Sequence, residues 1–459
     1  MIRNLFSRLP GAPRLAIGLT LGAAALLTGG CQGNLSASVK APESIQVAIA
    51  TGAGNDQVVR SSLKRLADQM AADFMRVHPG ASLHMRFLGE AELLESVRSR
   101  SSLGTGPDLM ISRTPPVVAL QREGLLGESS LSATQLDPLR LQFLANFRDG
   151  NAYRALPFLL QPSLACFNRA QVPQAPTRLE QLISQAATGV RVGLPLQVDE
   201  LLWTASGFDA DKPILRLFSD KEGNQPQRFS ASELGMVNAW LRWLYRANVQ
   251  PTVYFVDTSD ELVQRLETKQ LDWISCNANA IPRLRRSLGS KLGVSVLPSG
   301  VNGAPARPMA RLLVISFGRD STPSQRRLAE SFTLFMLNDI SQNSLMQRAF
   351  GNMPVNGNVI VPVKDSPVLA AMETSLAAST VPGLHEGVEL RQRTEALRQL
   401  LKQTIYGEVT AQQAIDDLQT MAGAAGASAA EPSAPIRNSL PSQTPSPAAP
   451  AAPSASRQP

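Results

Sequence analysis

From residue 43 to about 421, short apolar runs alternate with longer segments whose apolar residues recur every three to four positions. Ile45-Gln46-Val47-Ala48-Ile49-Ala50 is followed by Leu63, Leu66, Met70, Phe74 and Val77 at helical spacing, and Pro79-Gly80 ends that segment. A run over 82–87, a helical stretch around Leu93, Leu94 and Val97, and Leu109-Met110-Ile111 after Gly106-Pro107-Asp108 repeat the pattern. Strands separated by helices are joined by crossovers rather than tight turns, so this order specifies an α/β fold with largely parallel sheets. The first three strands, with two crossover helices, predict half of a doubly wound sheet.

The order then changes. Residues 153–158 run almost directly into 163–168, two extended segments with no helix between them, as expected where a chain passes from one lobe to another. Pro176-Thr177 ahead of Leu179, Glu180 and Leu182 marks a capped helix start. Further strands are predicted over 190–194, 272–276, 294–297 and 311–317, with helices over 232–248 and 324–337. Trp240 and Trp243 share helical spacing with Leu244 and read as core. The chain has 459 residues, 43% of them hydrophobic and 18% charged, which leaves room for two sizeable cores. No internal repeat is evident.

The N-terminus carries Arg3, Arg8 and Arg14, then an uncharged apolar run over 15–27, then Thr28-Gly29-Gly30 ahead of Cys31. This is the layout of a secretion signal, and its apolar run is shorter than the roughly 20 residues a spanning helix needs. Without those three arginines the formal net charge of +7 falls to about +4 over a long chain. Arg283, Arg285 and Arg286 form the densest basic cluster, too short for a nucleic-acid stripe and better read as a solvated helix face. Residues 32–42 are small and polar, a tether; 422–459 are nearly all Ala, Pro, Ser and Gly and predict disorder.

Cys166 and Cys276 remain once Cys31 is set aside. Outside the cytoplasm two thiols can bridge. Each also sits in an apolar run, where a reduced cysteine is simply a small hydrophobe, and two separate buried thiols are the expectation. Catalytic signatures are absent from the sequence. His78, His84 and His385 stand in no triad arrangement, and there is no phosphate loop, paired-histidine motif or cysteine cluster. The reading is therefore a non-enzyme with no cofactor and no metal.

Several features in order carry a family resemblance: the first strand with its long helix, Gly106-Pro107-Asp108, Gly124-Leu125-Leu126, the 153–168 crossover, Pro176-Thr177, and Trp240 to Tyr245 before Pro251. The strand 311–316 with its helix, Phe350-Gly351-Asn352-Met353-Pro354, and Tyr406-Gly407-Glu408-Val409-Thr410 with Ala414 complete the series. The chain resembles the family 1 extracellular solute-binding proteins, the maltose-binding-protein-like receptors of ABC importers. Small residues before Cys31 likewise resemble a lipobox, with Thr28 where the pattern usually has Leu.

The resemblance implies a two-lobed periplasmic-binding-protein-like fold, each lobe a mostly parallel sheet flanked by helices, joined by a hinge. Its expected divisions are a signal peptide (1–30), a tether (31–42), an N-terminal lobe (43–156 plus 308–345), a C-terminal lobe (157–307 plus 346–421) and the tail (422–459). The implied partners are a small solute, most readily a sugar or other polyhydroxylated compound, the permease subunits of an importer, and the membrane through lipidated Cys31. A monomer outside the cytoplasm, with no nucleic-acid partner, is expected.

Ligands of open α/β sheets sit beyond the carboxyl ends of the strands. That rule selects Thr51 and Asn55 after the first strand, where Gly52 and Gly54 would equally serve a tight turn. It also selects Ser112 and Arg113 after the third, Gln161 at the crossover, Asn277 and Asn279 after Cys276, and Arg311 at the base of its strand. Arg113 can hold a carboxylate, phosphate or diol through its planar fork, or simply pair with Glu123. Trp203, after Asp199 and Glu200, could stack on a pyranose. Asp108 reads as a turn residue.

The chain also departs from the family pattern. No aromatic stands near Val381-Pro382-Gly383-Leu384, which argues against a long maltodextrin, and Thr268-Lys269-Gln270 lacks the usual glycine. Two alternatives stay open: a receptor of similar fold for a polyamine, metal or phosphate ester, and an envelope lipoprotein that has lost transport.

Overall fold

A computed structural model describes residues 43–51, 57–150, 152–217, 228–301, 303–380 and 388–428. Cys31, Asn55 and Val381 to Leu384 lie outside the described residues. The chain begins β1 (Glu43–Thr51), α1 (Gln57–Val77), β2 (Ala81–Gly89), α2 (Glu90–Ser101), β3 (Leu109–Arg113) and α3 (Thr114–Arg122). β1 runs parallel between β2 and β3, Ile45 opposite Leu83 and Val47 opposite Leu109, so the predicted half-sheet forms. Asp108 fixes the turn into β3, as expected. Its carboxylate accepts from the Gln46 amide at 2.8 Å and from the Ser321 hydroxyl at 2.7 Å.

Short helices α4 (Ala133–Leu136) and α5 (Leu141–Leu144) and the hairpin of β4 (Arg148–Asp149) and β5 (Ala152–Tyr153) lead to β6 (Ala155–Gln161) and, past Pro162, β7 (Ser163–Asn168). Then follow α6 (Leu179–Ala187), β8 (Val192–Pro195), α7 (Val198–Ser206), α8 (Asp211–Arg216), α9 (Ala231–Val249), β9 (Val253–Val256), α10 (Ser259–Glu267), β10 (Trp273–Asn277), α11 (Ile281–Leu288) and β11 (Leu292–Ser295). The chain continues through β12 (Arg311–Phe317), α12 (Pro323–Leu337), α13 (Asp339–Arg348), β13 (Met353–Pro354), α14 (Pro367–Ala378), α15 (Val388–Tyr406) and α16 (Ala411–Ser428).

These strands form two principal sheets, ordered β13-β6-β12-β3-β1-β2 and β11-β7-β10-β8-β9. Each has a parallel half, β2-β1-β3 and β9-β8-β10, to which the crossover strands and their neighbours add antiparallel pairs, so the sheets are mixed. The physical reason is Pro162. With one residue between β6 and β7 there is no room for a crossover helix, and the two strands enter different sheets. β6 through Gln161 and β13 through Pro354 pair in the first sheet.

One apolar cluster fills the first lobe and reaches one face of the second sheet. The other lies on that sheet's far face, under α6, α7, α9, α15 and α16. Trp240 and Trp243 are buried there, as their spacing predicts. The helix expected to yield to a disordered tail at 422 instead continues to Ser428, with Ala422 fully buried. Ser230 caps α9 and Glu233 reaches back to the Ser230 amide at 2.8 Å, a reciprocal cap. α6 starts one residue later than Thr177 predicts, with Arg178 as its cap residue.

Cys166 and Cys276 are joined in a disulfide, which corrects the expectation of two separate thiols. Antiparallel β7 and β10 set Cys166 opposite Ile274, so Cys276, two residues on, emerges on the same face with its Cα 5.8 Å away. The turn that lacks a glycine keeps glycine-like geometry: Lys269 has φ 59° just past α10, in the left-handed region.

Candidate functional site

The carboxyl ends of the parallel strands, and the helix starts that follow them, supply one set of polar side chains from each lobe. From the first come Thr51 at the end of β1, Glu90 directly after β2, and Ser112 and Arg113 at the end of β3. From the second come Asp199 and Glu200 in the first turn of α7, Ser259 and Asp260 in the first turn of α10, and Asn277 at the end of β10.

The two sets meet. Arg311, at the start of β12, is ion-paired with Glu200 across the lobes, and the Ser259 hydroxyl donates to the same carboxylate. Arg113 donates from Nε and Nη2 to both oxygens of Glu90. The hydrogen bond to Glu90 holds the Arg113 guanidinium above its ordinary value, and the charges of Asp199 and Asp260 add to that from the second lobe. Burial pushes Arg311 down, Asp199 opposes this, and the neighbouring charge of Arg113 adds to it.

A second polar group sits where the chain passes between sheets. Arg311 lies opposite Gln161 in the β12–β6 pair. The Gln161 side chain donates to Asn352 Oδ1 at 2.8 Å, and its main-chain carbonyl accepts from Asn277 Nδ2 at 3.3 Å. Asn277 Oδ1 in turn accepts from the Asn279 amide at 3.3 Å, and the Asn279 side chain is exposed. Gly351 has φ 101°, and a Cβ there would stand 2.5 Å from the carbonyl oxygen of Ala278.

Of the residues singled out in the sequence, Gln161, Asn277, Asn279 and Arg311 are linked by hydrogen bonds or strand pairing, and Arg113 feels the charges of Asp199 and Asp260. Thr51 and Ser112 are buried and bonded to main chain, Thr51 to Leu88 at 3.1 Å and Ser112 to Arg113 at 3.1 Å. The alternative partner for Arg113 is corrected: Glu123 is held by Arg98, with Nε at 2.8 Å, while Arg113 takes Glu90. Trp203 is also corrected. It is 1% exposed, in the second lobe's core with its ring 6.3 Å from that of Trp273, because α7 is buried along nearly its whole length and only its first turn reaches the charged region. Reasoning missed Glu90, Ser259, Asp260 and Asn352, and passed over Glu200. The strand-end rule would have found Glu90 and Ser259 had it been applied to β2 and to the unrecognised β9.

Among the described residues, no three His, Cys, Asp or Glu side chains come together to hold a metal ion, and no helix is long and apolar enough to cross a membrane. No protein-family model and no curated protein matches the sequence. Solved structures do. A cyclo/maltodextrin-binding protein complexed with maltotetraose superposes with a TM-score of 0.67 at 15% identity, over 83% of this chain and 97% of that one. The fold is that of the maltose-binding proteins. A maltose-binding periplasmic protein from Listeria monocytogenes, in complex with maltose, gives a TM-score of 0.65 at 14% identity over 83% and 97% of the two chains. The GacH receptor of Streptomyces glaucescens, solved unliganded and with acarbose, gives 0.66 at 14% over 83% and 98%. In this maltose-binding-protein fold the two sheets are the two lobes, and the charged side chains above lie where the lobes face each other.

Proposed function

We propose that the chain is the solute-binding receptor of an ABC importer, capturing a small polyhydroxylated solute between its lobes by hinge closure and delivering it to a permease. The observation that carries this reading is the convergence of strand ends from both lobes on Arg113, Arg311, Glu90 and Glu200. Guanidinium and carboxylate forks hydrogen-bond vicinal hydroxyls from two sides. Binding rather than catalysis fits a region whose charged side chains are held in ion pairs with one another.

The bound maltose and acarbose of the structural neighbours favour a sugar. All four tryptophans here are buried, so recognition rests on charged hydrogen-bonding groups rather than on a tryptophan platform, which suits a small hydrophilic solute over a long oligosaccharide. The same charges favour a second reading, a charged non-sugar solute such as a polyamine or phosphate ester. Export and a lipid anchor at Cys31 belong to the proposal, and the Cys166–Cys276 disulfide supports an oxidising compartment.

A thermal-shift screen over sugars, polyols, amino acids, polyamines and phosphate esters tests it. The true solute at a hundred times its dissociation constant adds about 2.7 kcal/mol. If no compound raises Tm while the protein is folded and monodisperse, the receptor reading fails.

A further inference from the structure

The facing sides of the two lobes are unlike in charge. The first lobe presents two guanidiniums, Arg113 and Arg311, and one carboxylate, Glu90. The second presents three carboxylates, Asp199, Glu200 and Asp260, from the first turns of α7 and α10. The charge of Arg113 disfavours that of Arg311, and Asp199 of the opposite lobe favours the charged form of both. One of the second lobe's acids is already held in part: Glu200 accepts from the Ser259 hydroxyl on α10, which fixes the rotamer that meets Arg311.

We propose that the Arg311–Glu200 pair is an interlobe latch, which with the surrounding charges draws the lobes together independently of any solute. Opposite charges across a closing gap are attracted in the approached state and hydrated in the separated one, so the pair biases a hinge equilibrium toward approach. A half-buried pair of this kind is screened by salt far less than the exposed Asp199 and Asp260, so the pair itself holds the latch at physiological ionic strength. Solute entering between the lobes competes with the latch for the same two side chains, and selection then favours solutes that supply their own groups to both Arg311 and Glu200.

The test is small-angle scattering on the full mature chain with no solute added, for wild type, Glu200→Gln, Arg311→Gln and the charge swap Glu200→Arg with Arg311→Glu. Each single variant is expected to raise the radius of gyration, and the swap to return it toward wild type. Circular dichroism confirms that each variant is folded. If both single variants are folded and keep the wild-type radius, or if the swap stays as extended as the singles, the latch is overturned. This outcome is separate from the receptor reading, since a solute-induced shift in Tm can be present or absent whatever the unliganded radius does.

Discussion

The side-chain amide of Gln161 donates to Oδ1 of Asn352, tying the last residue of β6 to the residue that precedes β13. Next to that tie, Gly351 presses against the 278–279 backbone at a φ of 101° that L side chains rarely adopt. Gly351→Ala is therefore expected to lose about 2 kcal/mol of stability, from backbone strain and from displacing the Ala278 carbonyl. Denaturant melts measure the loss. An unchanged midpoint would show that the contact yields freely.

Reduction is the second test. The disulfide closes a stretch with a sequence separation of 110, and in the chain-entropy account a loop near that length is worth about 4.7 kcal/mol, with measured losses of about 2–5 kcal/mol. Urea melts with and without reductant should differ by that order, and Cys166→Ser with Cys276→Ser should behave as the reduced wild type. Identical midpoints would mean that the bond adds nothing to the folded state.

Acid should act through Glu233. Its hydrogen bond to Arg216, aided by the Ser230 cap, lowers its pKa from 4.5 to about 2. A carboxylate depressed on folding contributes stability that is whole above the unfolded value and is lost as pH falls toward the folded one. Stability should decline between about pH 4.5 and 2, and Glu233→Gln should be less stable at pH 7 with a shallower decline over that window. A variant whose acid limb overlays that of wild type, offset by a constant, would assign the decline to other groups.

Membrane attachment is tested at one position. Cys31→Ser should release the mature protein into the soluble fraction, since no helix among the described residues spans a bilayer. Continued association of the variant in high salt would count against lipidation.

Much of this architecture was legible because strands and helices announce themselves by different periods. β1, α1 and β12 fell where their apolar spacing put them, and the absent helix between β6 and β7 disclosed the passage between lobes. Partner choice was not legible. Arg113 could reach Glu123 or Glu90 by any sequence argument, and only the helix placement decides between them. Trp203 misled for a related reason: a helix buried nearly all round has no amphipathic stripe, so its spacing cannot show which turn faces outward. Lys269 shows the reverse case, where the sequence lacks a glycine and the backbone still takes a left-handed φ of 59°.

The Cys166–Cys276 bond makes part of the molecule a covalent ring. β8, β9, α7, α10 and the acids Asp199, Glu200 and Asp260 all lie within it, whereas Arg113 and Arg311 lie on the open chain to either side. A pull applied to the two ends would unravel the arginine-bearing sheet completely yet leave the acid-bearing ring closed. The fully stretched oxidised chain would then be roughly 36–40 nm shorter than the reduced one, at about 3.3–3.6 Å per residue withheld.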